Sequence, residues 1–262
     1  MTRPMIISAV VLLASVAGAA SVMAADPPGT LFMSPDSGVL VTMPGSDGAQ
    51  AIVDATAGVA SVDIEVVQSI VGSTVTQQGG EMSVGFIDSG NFLTGILSIN
   101  QEAGNMNQQA NIRAIAVVDA GGGYGDVTID VNTVQELRGN TLLLQNAGPS
   151  NVTIDNSFNN GSGIVGINQA AGNMNQQLNV VAIGIGLNVG PDVVQVGDAQ
   201  LGQIGTDADN QRTDDGTLDT GHNSLTNSFN DFSGIAQVSQ VTGDMNRVTQ
   251  VVGVSLTTMA AP

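Results

Sequence analysis

Residues 168–179 read NQAAGNMNQQLN, and the rest of the chain takes its order from that phrase. It stands earlier at 100–111 as NQEAGNMNQQAN, identical at ten of twelve positions. It returns at 239–250 as SQVTGDMNRVTQ, identical to the middle copy at four. The glycine of the phrase recurs as Gly104, Gly172 and Gly243, spaced by 68 and 71 residues, and marks a turn in each copy. The flank recurs too. NSFNNGSGI fills 156–164 and NSFNDFSGI fills 227–235, with a form around Phe92 and Gly95 that reads as two residues shorter. Three copies of one unit, joined by dissimilar spacers, define a repeat architecture in which each unit covers its neighbour.

Each copy carries two strand-like runs about its small-residue turn, 163–169 and 175–185 in the middle copy. In the second run Asn175, Gln177, Asn179, Val181, Ile183 and Ile185 fall on one side, and the period of two predicts a strand. That side mixes amides with aliphatics, which is costly in an ordinary half-buried strand because buried amides must be paired. The cost disappears when an identical strand lies about 4.8 Å above and below, so that each side-chain amide bonds its own copy in a ladder. The expected fold class is therefore all-β, a β-solenoid or cross-β stack of three imperfect repeats joined by long spacers. Its ladders are Asn107/Asn175/Asn246 and Asn111/Asn179/Gln250, joined by Asn100, Gln101, Gln109, Asn168, Gln169, Gln177 and Gln240.

The phrase GIVGINQAAGNMNQQLN at 163–179, in three copies behind an N-terminal leader, resembles the repeats of Fap-type bacterial functional amyloid subunits. The resemblance covers about a hundred residues, the three repeats, and implies an extracellular fibre built from copies of the chain and related subunits. It also implies export through an outer-membrane channel. Family members often end in C-x-x-C, whereas this chain has no cysteine, so the resemblance does not say which kind of subunit it is.

Composition agrees with thin β layers. The 262 residues include 34 Gly, no Trp, one Tyr and six Phe, too few aromatics for a bulky globular core. All five basic residues are Arg, and the formal charge of −18 makes nucleic acid or an anionic membrane surface a poor partner. Absence of Cys removes disulfide and thiolate-metal chemistry. Residues 1–24 read as a secretory signal peptide, with Arg3 before an apolar run and Val22-Met23-Ala24 at its end, so the mature chain is expected outside the cell by way of the periplasm.

The remaining divisions follow from the repeats. Residues 25–85 form an N-terminal region, either a cap on the stack or a leader; within it 39–43, 51–53 and 83–86 read as short strands, and 57–71 as a strand by its β-branched enrichment. Repeats occupy 86–118, 153–185 and 223–254, spacers 119–152 and 186–222, and a tail 255–262. Of 23 acidic residues only Asp88, Glu102, Asp155, Asp231 and Asp244 lie in repeats, as a stack requires if equal charges are not to repel along it. The first spacer alternates at Val127, Ile129 and Val131. The second ends in an acidic, Gly-rich stretch, 205–221, that reads as a solvated loop. Both spacers are expected to hang outside the core and limit premature association.

Chemistry is sparse. Counting an EF-hand from Asp207 puts Arg212 where the loop needs Gly, so no metal site is expected. The single His222 has no nucleophile motif beside it, and the acids avoid the rigid repeats where a catalytic solenoid would aim them, so neither catalysis nor a cofactor is expected. Met106, Met174 and Met245, one per turn, are expected to pack. Two readings remain open on residues alone: a self-polymerising fibre subunit, and a monomeric solenoid adhesin or coat protein.

Overall fold

The computed structural model describes residues 8–16, 30–33, 39–44, 49–55, 58–119, 125–189, 194–196, 200–202, 209–216 and 220–259. The leader expected at 1–24 lies outside these residues apart from the backbone of 8–16. So do Asp207 and Asp219 of the acidic stretch.

The chain winds three times around one axis. The first coil comprises β5 (Gly58–Val71), β6 (Thr74–Gln78), β7 (Met82–Ile87), β8 (Thr94–Ala103) and β9 (Gln108–Asp119). The second repeats this path as β10 (Gly125–Arg138), β11 (Thr141–Gln145), β12 (Ser150–Asp155), β13 (Ser162–Ala171) and β14 (Gln176–Val189). The third does so with β15 (Val194–Val196), β16 (Gln200–Gly202), β17 (Gln211–Asp214), β18 (Gly221–Thr226), β19 (Ser233–Thr242) and β20 (Arg247–Met259). Each strand pairs in parallel with its counterpart one coil away, giving five stacked sheets. Ahead of the coils lie β1 (Ser8–Val16), β2 (Thr30–Met33), β3 (Val39–Pro44) and β4 (Ala49–Ala55). Here β1 runs antiparallel to β5, while β4 pairs in parallel with β9.

The spacers do not hang outside. Residues 125–138 and 141–145 of the first spacer, and 194–196, 200–202 and 211–214 of the second, form β10, β11 and β15 to β17 and close each coil. Part of the stretch read as a solvated loop is thus strand β17, paired with β11 from Thr141↔Gln211 to Leu144↔Asp214. The physical reason is coverage: without β10 and β11 the inward side of β14 would face water. Acids are tolerated there because they occupy outward positions such as the exposed Asp130, where solvent screens them.

Within a coil the chain spirals inward, so that β14 is the middle layer between β10 and β13. Even-numbered β14 side chains face β10 and odd-numbered ones face β13. Gln176 Nε2 donates to the Glu136 carbonyl at 3.0 Å, and Gln177 Nε2 to the Gln169 carbonyl at 3.0 Å. Both faces are buried, which explains why amides and aliphatics share each side of the strand. Two apolar clusters fill the remaining space. One gathers Ile70, Leu137, Leu142 and Leu144 around Met174, with Met106 and Met245 packed against it. The other gathers Ile154, Val165 and Ile167 around Phe158.

Candidate assembly ladders

The turn after β8, β13 and β19 sets the spacing of everything beside it. Gly172 N donates to the Ala103 carbonyl and Gly243 N to that of Ala171, both at 2.9 Å, so the backbone ladder continues through the turn. Gly104 and Gly172 have φ of 134° and 146°, and a Cβ on Gly172 would overlap the Gly243 carbonyl oxygen. A Cβ on Gly104 would meet Gly172 in the same way. Only glycine lets coils approach this closely.

Held at that distance, the amides align. Gln169 Nε2 donates to Gln101 Oε1 at 2.7 Å and Gln240 Nε2 to Gln169 Oε1 at 3.1 Å, a ladder through all three coils. Asn107 Oδ1 accepts from the Asn175 backbone N–H at 2.9 Å, and Asn175 Oδ1 accepts from Asn246 Nδ2 at 3.0 Å, a second complete column. The three other expected columns join only two coils. Asn168 Nδ2 reaches Asn100 Oδ1 at 3.2 Å, Gln109 Nε2 reaches Gln177 Oε1 at 2.6 Å, and Asn179 Nδ2 reaches Asn111 Oδ1 at 3.0 Å. Gln250, expected as the third rung above Asn179, donates to the Val238 carbonyl at 3.0 Å and leaves Asn179 Oδ1 without a partner, so the column 111/179/250 stops at Asn179. Asn111 and Asn179 make the same bond to the facing strand, at the Ile99 and Ile167 carbonyls, both at 3.1 Å, but Asn179 also reaches the rung below it.

The breaks follow the sequence of the third copy. Asn168 Oδ1, Gln176 Oε1 and Asn179 Oδ1 are buried with no hydrogen-bond partner. By register the residues above them are Ser239, Arg247 and Gln250, three of the positions where the third copy departs from the phrase. Buried acceptors left without donors cost about 1–3 kcal/mol each, so the worn copy forms the weaker joint.

Several columns lie beyond the expected set, two of them inside the phrase itself. Gln176 Nε2 donates to Gln108 Oε1 at 2.9 Å. Asn173 links Asn105 to Asp244, both at 2.9 Å. Asn159 N donates to Asn91 Oδ1 at 2.7 Å, and its own Oδ1 receives Asn230 Nδ2 at 3.1 Å. In the spacers, Gln135 Nε2 donates to Gln68 Oε1 at 2.7 Å and Asn140 Nδ2 to Asn210 Oδ1 at 3.1 Å. The available signal is Asn or Gln recurring at intervals of 67 to 71, inside the phrase and beyond it. The same register corrects the flank around Phe92. It is not shortened: Ser89 aligns with Ser157 through a 3.1 Å bond, and DSGNFLTGI has full length with Gly90 facing Phe158. Phe158 and Phe229 stack at 5.1 Å, a short aromatic column on the glycine of the first coil.

Among the described residues one cation is buried. Arg113 is 1% exposed; its Nη1 donates to the Ile112 carbonyl at 2.8 Å, and Nε and Nη2 have no partner. Burial pushes its pKa down to about 10. It fits because Gly166, one coil up, has no side chain to meet the guanidinium. Among the described residues no group of three or more His, Asp or Glu side chains gathers to hold a metal.

In-register parallel strands with side-chain amide columns define a cross-β solenoid. Residues 51–257 match the family model described as functional amyloid protein FapB/FapC family. Over 92 residues the chain is 41% identical to the functional amyloid subunit FapC of Pseudomonas aeruginosa (strain PAO1), an alignment covering 35% of this chain and 27% of that protein. No solved structure matches. The chain belongs to the FapB/FapC functional amyloid family, a structural family and not an enzymatic one.

Proposed function

We propose that this chain is an exported subunit of an extracellular amyloid fibre in a biofilm matrix, polymerising head to tail so that the third coil of one copy continues onto the first coil of the next. The amides at 100, 101, 107, 109, 111, 168, 169, 175, 177, 179, 240 and 246, with the turn glycines, serve as the assembly ladder. Related fibre subunits and an outer-membrane channel are the further partners that family membership suggests.

One observation carries this reading. Among the described residues, β6, β7 and β8 on the first coil, and β17 to β20 on the third, are sheet ends with no strand beyond them. Such edges template the addition of another chain. The residues on the two ends match as neighbours in a continued stack: Gln240 would meet Gln101, Asn246 would meet Asn107, and Asn230 would meet Asn91. The glycine columns point the same way. A Cβ on Gly243 would find only Asn246 Nδ2 at 3.9 Å within its own copy. In a continued stack it would meet the turn of the next copy, as Gly104 and Gly172 meet theirs.

Gly243→Ala therefore tests the proposal. The variant is expected to keep the three-coil fold by circular dichroism, apart from modest strain at φ 95°, while fibre growth seen by dye binding and electron microscopy falls at least ten-fold. Fibres growing at the parental rate would reject head-to-tail stacking. A parent chain that stays monomeric through long incubation would favour the adhesin or coat reading.

A further inference from the structure

The edges that would join two copies are not all open. In a head-to-tail joint β17, β18 and β19 of one copy meet free sheet ends at β6, β7 and β8 of the next. Its β20 meets an occupied one. There β4 lies parallel to β9 and in register, Ala49 beside Ile112 through Ala55 beside Val118. Within a copy, β20 takes these same rungs on β14: Val251 beside Val180 through Thr257 beside Gly186. The β14 positions 180–186 are in turn the register partners of 112–118 in β9. The segment β4 thus holds, with the same direction and register, the seat that β20 of an incoming copy requires.

We propose that β4 is a displaceable plug: it caps the first coil of the free chain, and each fibre joint forms when β20 of another copy replaces it. This rests on the fibre reading above.

Three features make the exchange favourable and directional. The first is length. β4 offers seven rungs to β9, whereas β20 runs along β14 for eleven consecutive rungs from Gln176↔Arg247 to Gly186↔Thr257. The second is a starting point. The β4 pairing begins at Ile112, so positions 108–111 lie beyond its end. There 247–250 of an incoming β20 would pair first, with Gln250 beside Asn111, and then zip along the strand. The third is apolar gain. Val254 and Leu256 are 37% and 53% exposed at the free edge of the third coil. In a joint they would lie beside Ile115 and Val117 and leave water. The fifth sheet end, on β5, is covered by β1, which lies inside the segment expected as leader. The plug lowers the fraction of chain competent to stack, so it slows nucleation without any contact in the finished fibre.

A tether tests this directly, and the absence of native Cys makes it clean. Ile52 and Ile115 are register partners, and Ile115 is only half-buried, so Ile52→Cys with Ile115→Cys allows β4 to be fixed to β9 and released by reductant. The oxidised full-length chain is expected to show a lag at least ten-fold longer than the same protein reduced, and the reduced protein to assemble at the parental rate. Equal kinetics in the two states overturn the plug while leaving the fibre reading intact. If the reduced pair assembles poorly, Val53→Pro gives the independent measurement: the ring removes a backbone donor from β4 and should shorten the lag several-fold. An unchanged or longer lag for Val53→Pro means β4 is a strand of the fibre and not a plug. Should neither the parent nor Val53→Pro ever form fibres, both readings fall; fibres from Val53→Pro alone would support the plug.

Discussion

The joint between the first and second coils and the joint between the second and third share one backbone register and differ in their side chains. Below the second coil, amide columns at Asn168, Gln169, Gln176, Gln177 and Asn179 each find their counterpart. Above it Gln169 and Asn175 still do, but Asn168, Gln176 and Asn179 are left with buried orphan oxygens. Parallel backbone pairing therefore tolerates divergence that the amide columns register rung by rung. Stacking is specified by the main chain and graded by the side chains.

The largest perturbation should come from the turn that sets the spacing for both joints. Gly172→Ala places a Cβ on the Gly243 carbonyl, and backbone cannot give way there as a flexible side chain can. We expect a loss of more than about 4 kcal/mol, seen as hydrogen exchange throughout β13 and β19. Protection equal to the parent would mean that the coils do not approach this closely.

Asn175→Asp breaks a column that survives in both joints. Asn175 is fully buried, donates to the Gly243 carbonyl at 2.9 Å and accepts from Asn246. A carboxylate there repels that carbonyl and costs about 3 kcal/mol. The buried carboxyl's pKa lies above its unfolded value of about 4, so the loss is present in full above the raised pKa, fades as pH falls from there, and is gone below about 4. Denaturation midpoints on either side of that range, compared with the parent, measure it; a pH-independent deficit would point to shape and not charge.

Repair of the upper joint is the complementary experiment. Ser239→Asn, Arg247→Gln and Gln250→Asn together restore the phrase above the three orphan oxygens. They should add about 1 kcal/mol for each column completed, raising the denaturant midpoint, with the upper joint approaching the lower in exchange protection. A repaired chain no more stable than the parent would show that water already satisfies those oxygens.

Arg113 is peculiar to the first coil, Val181 and Val252 standing at the same rung above it. Arg113→Met keeps the length and removes a buried charge with two unpartnered nitrogens, so it should stabilise by about 1–2 kcal/mol. Because burial holds the folded pKa at about 10, below that of a free arginine, the burden is present in full at neutral pH and fades only above pH 10. Urea titrations at pH 7 and pH 11 should therefore differ less for the variant than for the parent.

Smallest of all should be Asp214→Asn. Asp214 is half-buried at the edge of β17, paired with Arg212 at 3.3 Å and outside any amide column. A change within about 0.5 kcal/mol is expected, checked by the same denaturation series.

How far these features could be read in advance depended on which side chains face inward. In the phrase, both sides of the strand are buried by neighbouring layers, so every residue from Asn168 to Asn179 is constrained and the copies stay alike. The turn glycines and the column at Asn175 are legible for that reason. In the spacers only alternate residues face the core. Gln68 and Gln135 pair, yet GVASVDIEVVQSIV and GDVTIDVNTVQELR agree at few other positions, because outward ones such as the exposed Asn132, which stands beside Glu65, answer only to solvent. The charge of those outward positions made the spacers look like solvated arms when they are walls of the coil. The orphan oxygens were not legible at all, since Gln250 carries the same amide as asparagine and makes the same bond to the facing strand, yet leaves Asn179 Oδ1 without a donor.

That one chain climbs three rungs before it ends has a consequence for the material such subunits would make. At about 4.8 Å per rung a filament one copy wide gains 26.4 kDa in about 14 Å, a linear density of about 1.8 kDa per Å before any leader is removed. Two of every three rung-to-rung contacts are then bridged by covalent chain, and tension along the filament would open it only at every third. Scanning transmission electron microscopy of unstained filaments would weigh this directly, and a density near three times higher would mean that each chain contributes a single flat layer.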